Sequence, residues 1–277
     1  VLPAAALAAL GRRHGGGPPC LSGERPPADS VQCATTAGHP PRLVVRARSA
    51  ERIARLAATV GDLLARVAMV PGAVHVLGPA AHHPEPQFWA GVALVTGGSV
   101  VTVAAGDAQA LLRALTDHQA TSVVLDAHQL RALTSLPAQL TDAADLTALQ
   151  RVIACGGRLD APIVAACADL FGEDVLQAVY ATPQTGPVAH ARTSDLQSDP
   201  GCAGHPLAGV QVSVSDRGEL LVRSPLTADG ALGDAVARGG WPPVPEWEDA
   251  PVPTGDLGAV TDDGRVSVFG PAPSGPS

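Results

Sequence analysis

Five short apolar runs, at 74–77, 99–103, 121–125, 149–155 and 175–179, alternate with segments of helical periodicity at about 86–95, 108–118, 127–135 and 161–171. A strand buried on both faces reads as a continuous apolar run, because it has no solvent side to carry polar residues. Parallel neighbours cannot be joined by a tight turn, so each such strand must be followed by a crossover, usually a helix. The pattern predicts an α/β fold: a mostly parallel sheet with crossover helices. A further helix is expected over 49–67, where Ile53, Leu56, Val60, Leu63, Leu64 and Val67 share one face and Ser49 is a suitable N-cap.

From about residue 190 the texture changes. Strand-like segments at 210–214, 219–223 and 265–269 are joined by Gly, Pro and Asp turns with no clear helix between them. This predicts a smaller antiparallel β subdomain, with 229–253 as a loop. The expected organisation is a linker or frayed lead-in over 1–30, an α/β domain over 31–190 and a β-rich subdomain over 191–277. No internal repeat is visible.

Composition narrows the function classes. Apolar residues make up 46% but aromatics only 3%, so the core must be built from Ala, Val and Leu. The net charge of −8 argues against a nucleic-acid partner, since phosphate neutralisation needs clustered basic residues. Five widely spaced cysteines without a CxxC pair are neither a zinc framework nor a disulfide scaffold, and they fit a reducing, cytoplasmic setting. The apolar opening, residues 1–10, is too short to span a membrane and lacks the basic start of a signal peptide.

Open parallel sheets bind ligands where strands end and helices begin. Two such junctions stand out: Ala154-Cys155-Gly156-Gly157, and Tyr180-Ala181-Thr182. Glycines let a ligand approach the backbone closely, and a tyrosine offers a flat face to a planar base. A tight turn with a packed tyrosine accounts for the same residues, and the residues alone leave both readings open. His82-His83-x-Glu85 has no third ligand at helical spacing, so no metal site is expected there. Cys155 reads as a small buried residue, and Phe88 and Trp89 as core.

Order and spacing carry the argument further. Tyr180-Ala-Thr-Pro-Gln-Thr-Gly186 resembles the Tyr-Gly-Ser-Thr-Glu-Thr-Gly segment of AMP-forming acyl-CoA synthetases and adenylation domains. Gly201-Cys-Ala-Gly-His-Pro-Leu-Ala-Gly-Val210, Gly218-Glu-Leu-Leu-Val-Arg-Ser-Pro225 and Thr254-Gly-Asp-Leu-Gly258 resemble three further motifs of that superfamily, in the same order. Residues 33–43 align with its phosphate loop, matching at Thr36, Gly38 and Pro40. The resemblance covers about 30–270. It implies that Gly156, Gly157 and Tyr180 line an adenine, that Thr36, Thr182 and Thr185 belong to the nucleotide site, and that Asp256 holds ribose hydroxyls. His82 would border an acyl pocket, and AMP or ATP would be the bound nucleotide.

The chain departs from the pattern where charge is handled. It contains no lysine: all 18 basic residues are arginine. The loop Lys is replaced by Pro41, the phosphate-contacting Thr by Pro183 and the magnesium-binding Glu by Gln184. Gly270-Pro271 stands where the superfamily has a Gly-Arg hinge, and the C-terminal lid domain is expected to be missing. These changes count against Mg²⁺ binding, and no catalytic residue is assigned. The expectation is a degenerate family member holding an acyl or acyl-adenylate ligand, or a partner: a carrier protein, an active synthetase or a second copy. The alternative is a working acyl-activating ligase completed by a lid from another chain.

Overall fold

The computed structural model describes residues 30–35, 43–47, 50–79, 83–104, 106–228, 230–231 and 250–272. Ser49, the expected N-cap, lies outside them. Two strands, β1 (Ser30–Thr35) and β2 (Leu43–Ala47), form a small antiparallel sheet with β12 (Gly230–Ala231). After helix α1 (Ala50–Val67) the chain enters the main sheet through β3 (Val74–Leu77), α2 (Pro84–Val95), β4 (Ser99–Thr102) and α3 (Ala108–Asp117). It continues through β5 (Ser122–Leu125), α4 (Ala127–Thr134), the short α5 (Ala138–Thr141), β6 (Arg151–Ala154), α6 (Ala161–Phe171) and β7 (Leu176–Thr182). The parallel strands and crossover helices are those expected from the periodicity, within a few residues at each end.

The remaining elements are β8 (Gly186–Ala191), α7 (Thr193–Ser198), β9 (Cys202–Pro206), β10 (Gln211–Val214), β11 (Glu219–Arg223), β13 (Val252–Val260) and β14 (Val266–Pro271). The main sheet has eleven strands in the order β10-β11-β13-β14-β9-β8-β7-β6-β5-β3-β4. Pairing is parallel from β4 to β7 and antiparallel from β7 to β10. The antiparallel strands at the C-terminal end bear out the predicted change of texture. The helix α7 and the strands β8 and β9 were not expected, and β13 begins at Val252, inside the segment read as a loop.

Strand parity sorts the core into two layers. Val76, Val123, Leu125, Val152, Ala154 and Leu176 face one side and pack with α3, α4, α6 and α7. Leu77, Val124, Ile153 and Val179 face the other side and pack with Leu63 and Val67 of α1 and with Trp89 and Val92 of α2. Opposite faces are needed because the chain moves outward from β3 to β4, then reverses across β3 to β5. Right-handed crossovers running in opposite directions put their helices on opposite sides. The second cluster continues under the antiparallel strands through Leu207, Leu220, Val222 and Val266. Trp89 is buried in this cluster, as read from the sequence, while Phe88 is partly buried, packs against the cluster and meets Trp89 edge-on at 5.3 Å.

Three crossover helices start on aspartates. The Asp107 carboxylate accepts from Ala110 N at 2.8 Å and that of Asp160 from Ile163 N at 3.0 Å. Asp126 and Gln129 form a reciprocal capping box. Each cap satisfies an amide the helix itself leaves unpaired. At the seam between β8 and β9, Gly204 has φ +78°, and a Cβ there would lie 1.8 Å from the His190 carbonyl oxygen. Only glycine fits that crossing. Among the described residues no helix is long and apolar enough to cross a membrane.

Candidate nucleotide-facing site

The C-terminal ends of the parallel strands are where ligand-binding groups gather in such sheets. After β6 the chain turns through Gly156 (φ +66°) and Gly157 (φ +148°), both exposed. Ala154 is the register partner of Ala178, so this turn stands level with Tyr180 on the neighbouring strand. Cys155 below it is 4% exposed, and burial pushes its thiol far up, with the Glu85 and Asp126 charges adding to the shift. It is a packed residue without nucleophilic character.

Tyr180, the only tyrosine in the chain, donates its hydroxyl to Asp256 Oδ2 at 2.8 Å. The two residues lie on β7 and β13, with β8, β9 and β14 between them. Four ladder spacings amount to about 19 Å in a flat sheet, so the antiparallel half must curl back over the ends of the parallel strands to close this bond. Burial holds the Asp256 carboxyl above its ordinary range; the Tyr180 hydroxyl opposes that shift and the Glu219 charge reinforces it. Burial likewise raises the Tyr180 phenol, with the Asp256 charge adding to it.

Asp256 owes its aim to a distortion of the ladder. Between β11 and β13 the register runs from Glu219↔Leu257 to Leu221↔Pro253. One residue, Leu220, therefore faces three: Thr254, Gly255 and Asp256. Such a bulge re-aims a side chain and leaves amides without ladder partners. Here side chains replace the ladder. Asp256 N donates to Thr254 Oγ1 at 3.1 Å, Thr254 Oγ1 donates to the Leu220 carbonyl at 3.0 Å, and Gly255 N donates to Glu219 Oε1 at 2.9 Å. Neither Glu219 nor Thr254 was singled out in the sequence; the signal available was Glu219 in the Gly-Glu-Leu motif.

The other candidates are placed as follows. Thr182 and Thr185 are buried in the β7–β8 turn, their hydroxyls 2.8 Å apart, and Thr185 N donates to Thr182 Oγ1 at 3.2 Å. Both are engaged within the turn. Gln184 Oε1 is buried with no hydrogen-bond partner among the described residues. Arg158 lies against Gly201, where a Cβ would be 2.8 Å from its Nε. Thr36 and His82 lie outside the described residues. Next to the β3–β5 crevice, a cavity of about 20 Å³ between Asp107 and His128 has room for a single water. Among the described residues no group of three His, Cys, Asp or Glu side chains could hold a metal ion.

Residues 52–232, well over half the chain, match the family of AMP-binding enzymes. The chain belongs to that family. Solved structures share the fold. The amide bond synthetase McbA from Marinactinospora thermotolerans superposes with a TM-score of 0.72 at 24% identity, over 96% of this chain and 58% of that one. O-succinylbenzoate coenzyme A synthetase (MenE) from Bacillus subtilis, solved in complex with AMP, gives 0.68 at 15% identity, over 86% and 49%. ATP-bound MatB from Rhodopseudomonas palustris gives 0.70 at 19%, over 89% and 49%. At these identities the likeness is one of fold, and this AMP-binding-family chain spans roughly half the length of the structures it resembles. No curated protein matches it.

Proposed function

We propose that this AMP-binding-family chain keeps an adenylate-facing cleft and has lost efficient ligation, so that it acts by holding AMP, an acyl group or an acyl-adenylate, or by docking a partner. The observation that carries the reading is the Tyr180–Asp256 hydrogen bond across the curled sheet. It joins a flat aromatic face to a carboxylate whose two acceptors suit a vicinal diol, level with an open glycine turn. In this reading Tyr180, Gly156 and Gly157 accept the base, Asp256 the ribose, and Thr182 and Thr185 shape the turn beneath.

Two features support the loss of chemistry. Adenylation gathers negative charge that must be met by cations and donors. The chain holds no lysine, and Pro41 stands where the resemblance places the loop Lys, so that cation is not supplied. Mg²⁺ demands hard oxygen ligands, above all carboxylates and phosphates. Gln184 offers a neutral amide oxygen and fits that role poorly. Losing one well-placed electrostatic donor costs ~2.7–4 kcal/mol of transition-state stabilisation.

The test is thermal unfolding with AMP, with ATP–Mg²⁺ and with a non-hydrolysable acyl-adenylate analogue, on the wild type and on Asp256→Ala. Ligand at a hundred times Kd stabilises by ~2.7 kcal/mol. A midpoint shift with AMP that disappears in the variant supports the cleft; no shift with any of the three sinks it. The second reading, a ligase completed by a lid from another chain, stands on family membership, and carboxylate-dependent pyrophosphate exchange in the presence of that chain decides it.

A further inference from the structure

The bulge between β11 and β13 poses a question about Asp256. Opposite Leu220, β13 carries two residues more than the ladder needs, so the backbone from Thr254 to Asp256 is lifted off its partner strand. An amide so lifted is satisfied by a side chain, by water or not at all. The Asp256 amide takes the Thr254 hydroxyl from within the bulge. The Gly255 amide takes Glu219 Oε1 from the facing strand. Glu219 is therefore a side-chain tie between β11 and the residue next to Asp256. On the other side of the loop, Ala272 N donates to the Gly255 carbonyl at 2.7 Å. Gly255 itself sits at φ +83° with no atom near its Cα substituent position, so packing does not hold it.

This arrangement brings two carboxylates close, which costs electrostatic energy: the Glu219 charge raises both Asp256 and Tyr180. A neutral acceptor would tie Gly255 without that repulsion. From the bulge, its amide without a ladder partner and the facing carboxylate, we infer that Glu219 is a positioning residue: by accepting from Gly255 N–H it fixes the direction of the Asp256 carboxylate toward a ligand's hydroxyls. It touches no ligand and acts through Asp256. The inference rests on the nucleotide reading above.

The experiment measures the Kd of AMP by calorimetry, well below each protein's melting temperature, for wild type, Asp256→Ala, Glu219→Gln and Glu219→Asp. Glu219→Gln keeps an acceptor oxygen at the same reach and removes the charge. Glu219→Asp keeps the charge and withdraws the acceptor by one methylene, and as the milder backbone perturbation it keeps the test open if larger changes fail to fold. The expected result is a roughly tenfold weaker Kd for Glu219→Asp, the scale of one lost charge-assisted hydrogen bond, and a Kd within about threefold of wild type for Glu219→Gln. Weakened binding in Asp256→Ala with wild-type affinity in Glu219→Asp overturns the positioning role alone. So does an equal loss in Glu219→Gln and Glu219→Asp, or a loss that follows melting temperature rather than the acceptor. No AMP binding by the wild type, or unchanged binding in Asp256→Ala, overturns the nucleotide reading and the positioning role with it.

Discussion

The parallel and antiparallel halves of the main sheet are built on different principles. Each central parallel strand is clamped between two helical layers: all four residues of β5 are buried, and alternate side chains enter opposite clusters. The outer antiparallel strands, beyond the fully buried β8, have one apolar face. Leu220, Val222 and Val266 are fully buried beneath it, while Leu221 on the other face is only partly covered and Phe269 is 57% exposed. The first half gains its order from packing, the second from backbone geometry: a glycine-only crossing, a bulge and side chains that substitute for ladder bonds. The difference teaches where function can be placed. Asp256 needs a strand bent out of register, and the parallel ladders from β4 to β7 run without a register shift.

Mutations should separate the two principles, the backbone-limited site giving the largest effect. Gly204→Ala removes no contact, yet its methyl would collide with the His190 carbonyl, and we expect a loss of about 4 kcal/mol or more by chemical denaturation. Ile153→Ala, in the doubly covered half, should cost about 3 kcal/mol through lost burial and a cavity. Phe269→Ser, on the uncovered face, should change stability by no more than about 0.5 kcal/mol. Equal effects of the last two would erase the contrast between the halves.

Acid offers an intermediate probe, because each half buries a histidine. His75 in β3 meets Ser122 across the parallel ladder, and burial lowers its affinity for a proton. His190 in β8 meets Gln177 at 2.8 Å, and burial, aided by the Arg66 and Arg192 charges, lowers it to about 4. The unfolded chain takes up these protons first, so stability falls as pH drops through 6.5 and continues to fall to about 4. From about pH 7 to pH 5, His190 alone should account for about 2 kcal/mol. The raised Asp256 carboxyl works in the opposite direction and offsets part of that loss. Denaturation midpoints for wild type and His190→Gln across this range measure it: the variant's profile should be flatter.

The same contrast explains what could be read from the sequence. The parallel half was legible because burial on two faces writes continuous apolar runs, so β5 and β6 stand out as Val-Val-Leu and Val-Ile-Ala. The strands β8, Gly-Pro-Val-Ala-His-Ala, and β9, Cys-Ala-Gly-His-Pro, are rich in small residues, Gly and Pro. Their place in the ladder makes them strands, and local propensity does not report it. Tyr180 and Asp256 were legible as motif residues, but their hydrogen bond was not, because it depends on the curl of the intervening strands. Glu219 was hidden for a related reason: its bond to Gly255 exists only once a register shift brings that amide within reach of its side chain.

The reach of the Tyr180–Asp256 bond also sets a timetable. Its ends are 76 residues apart, and the strand bearing Asp256 is among the last to join the sheet in chain order. Chains are made from the N-terminus and fold as their parts emerge. A nascent chain can hold every parallel strand and both helical layers before Asp256 exists. The Tyr180–Asp256 bond is therefore withheld until β13, the tenth of the eleven main-sheet strands in chain order, has been made, and the candidate site is completed only after the whole parallel half can have folded.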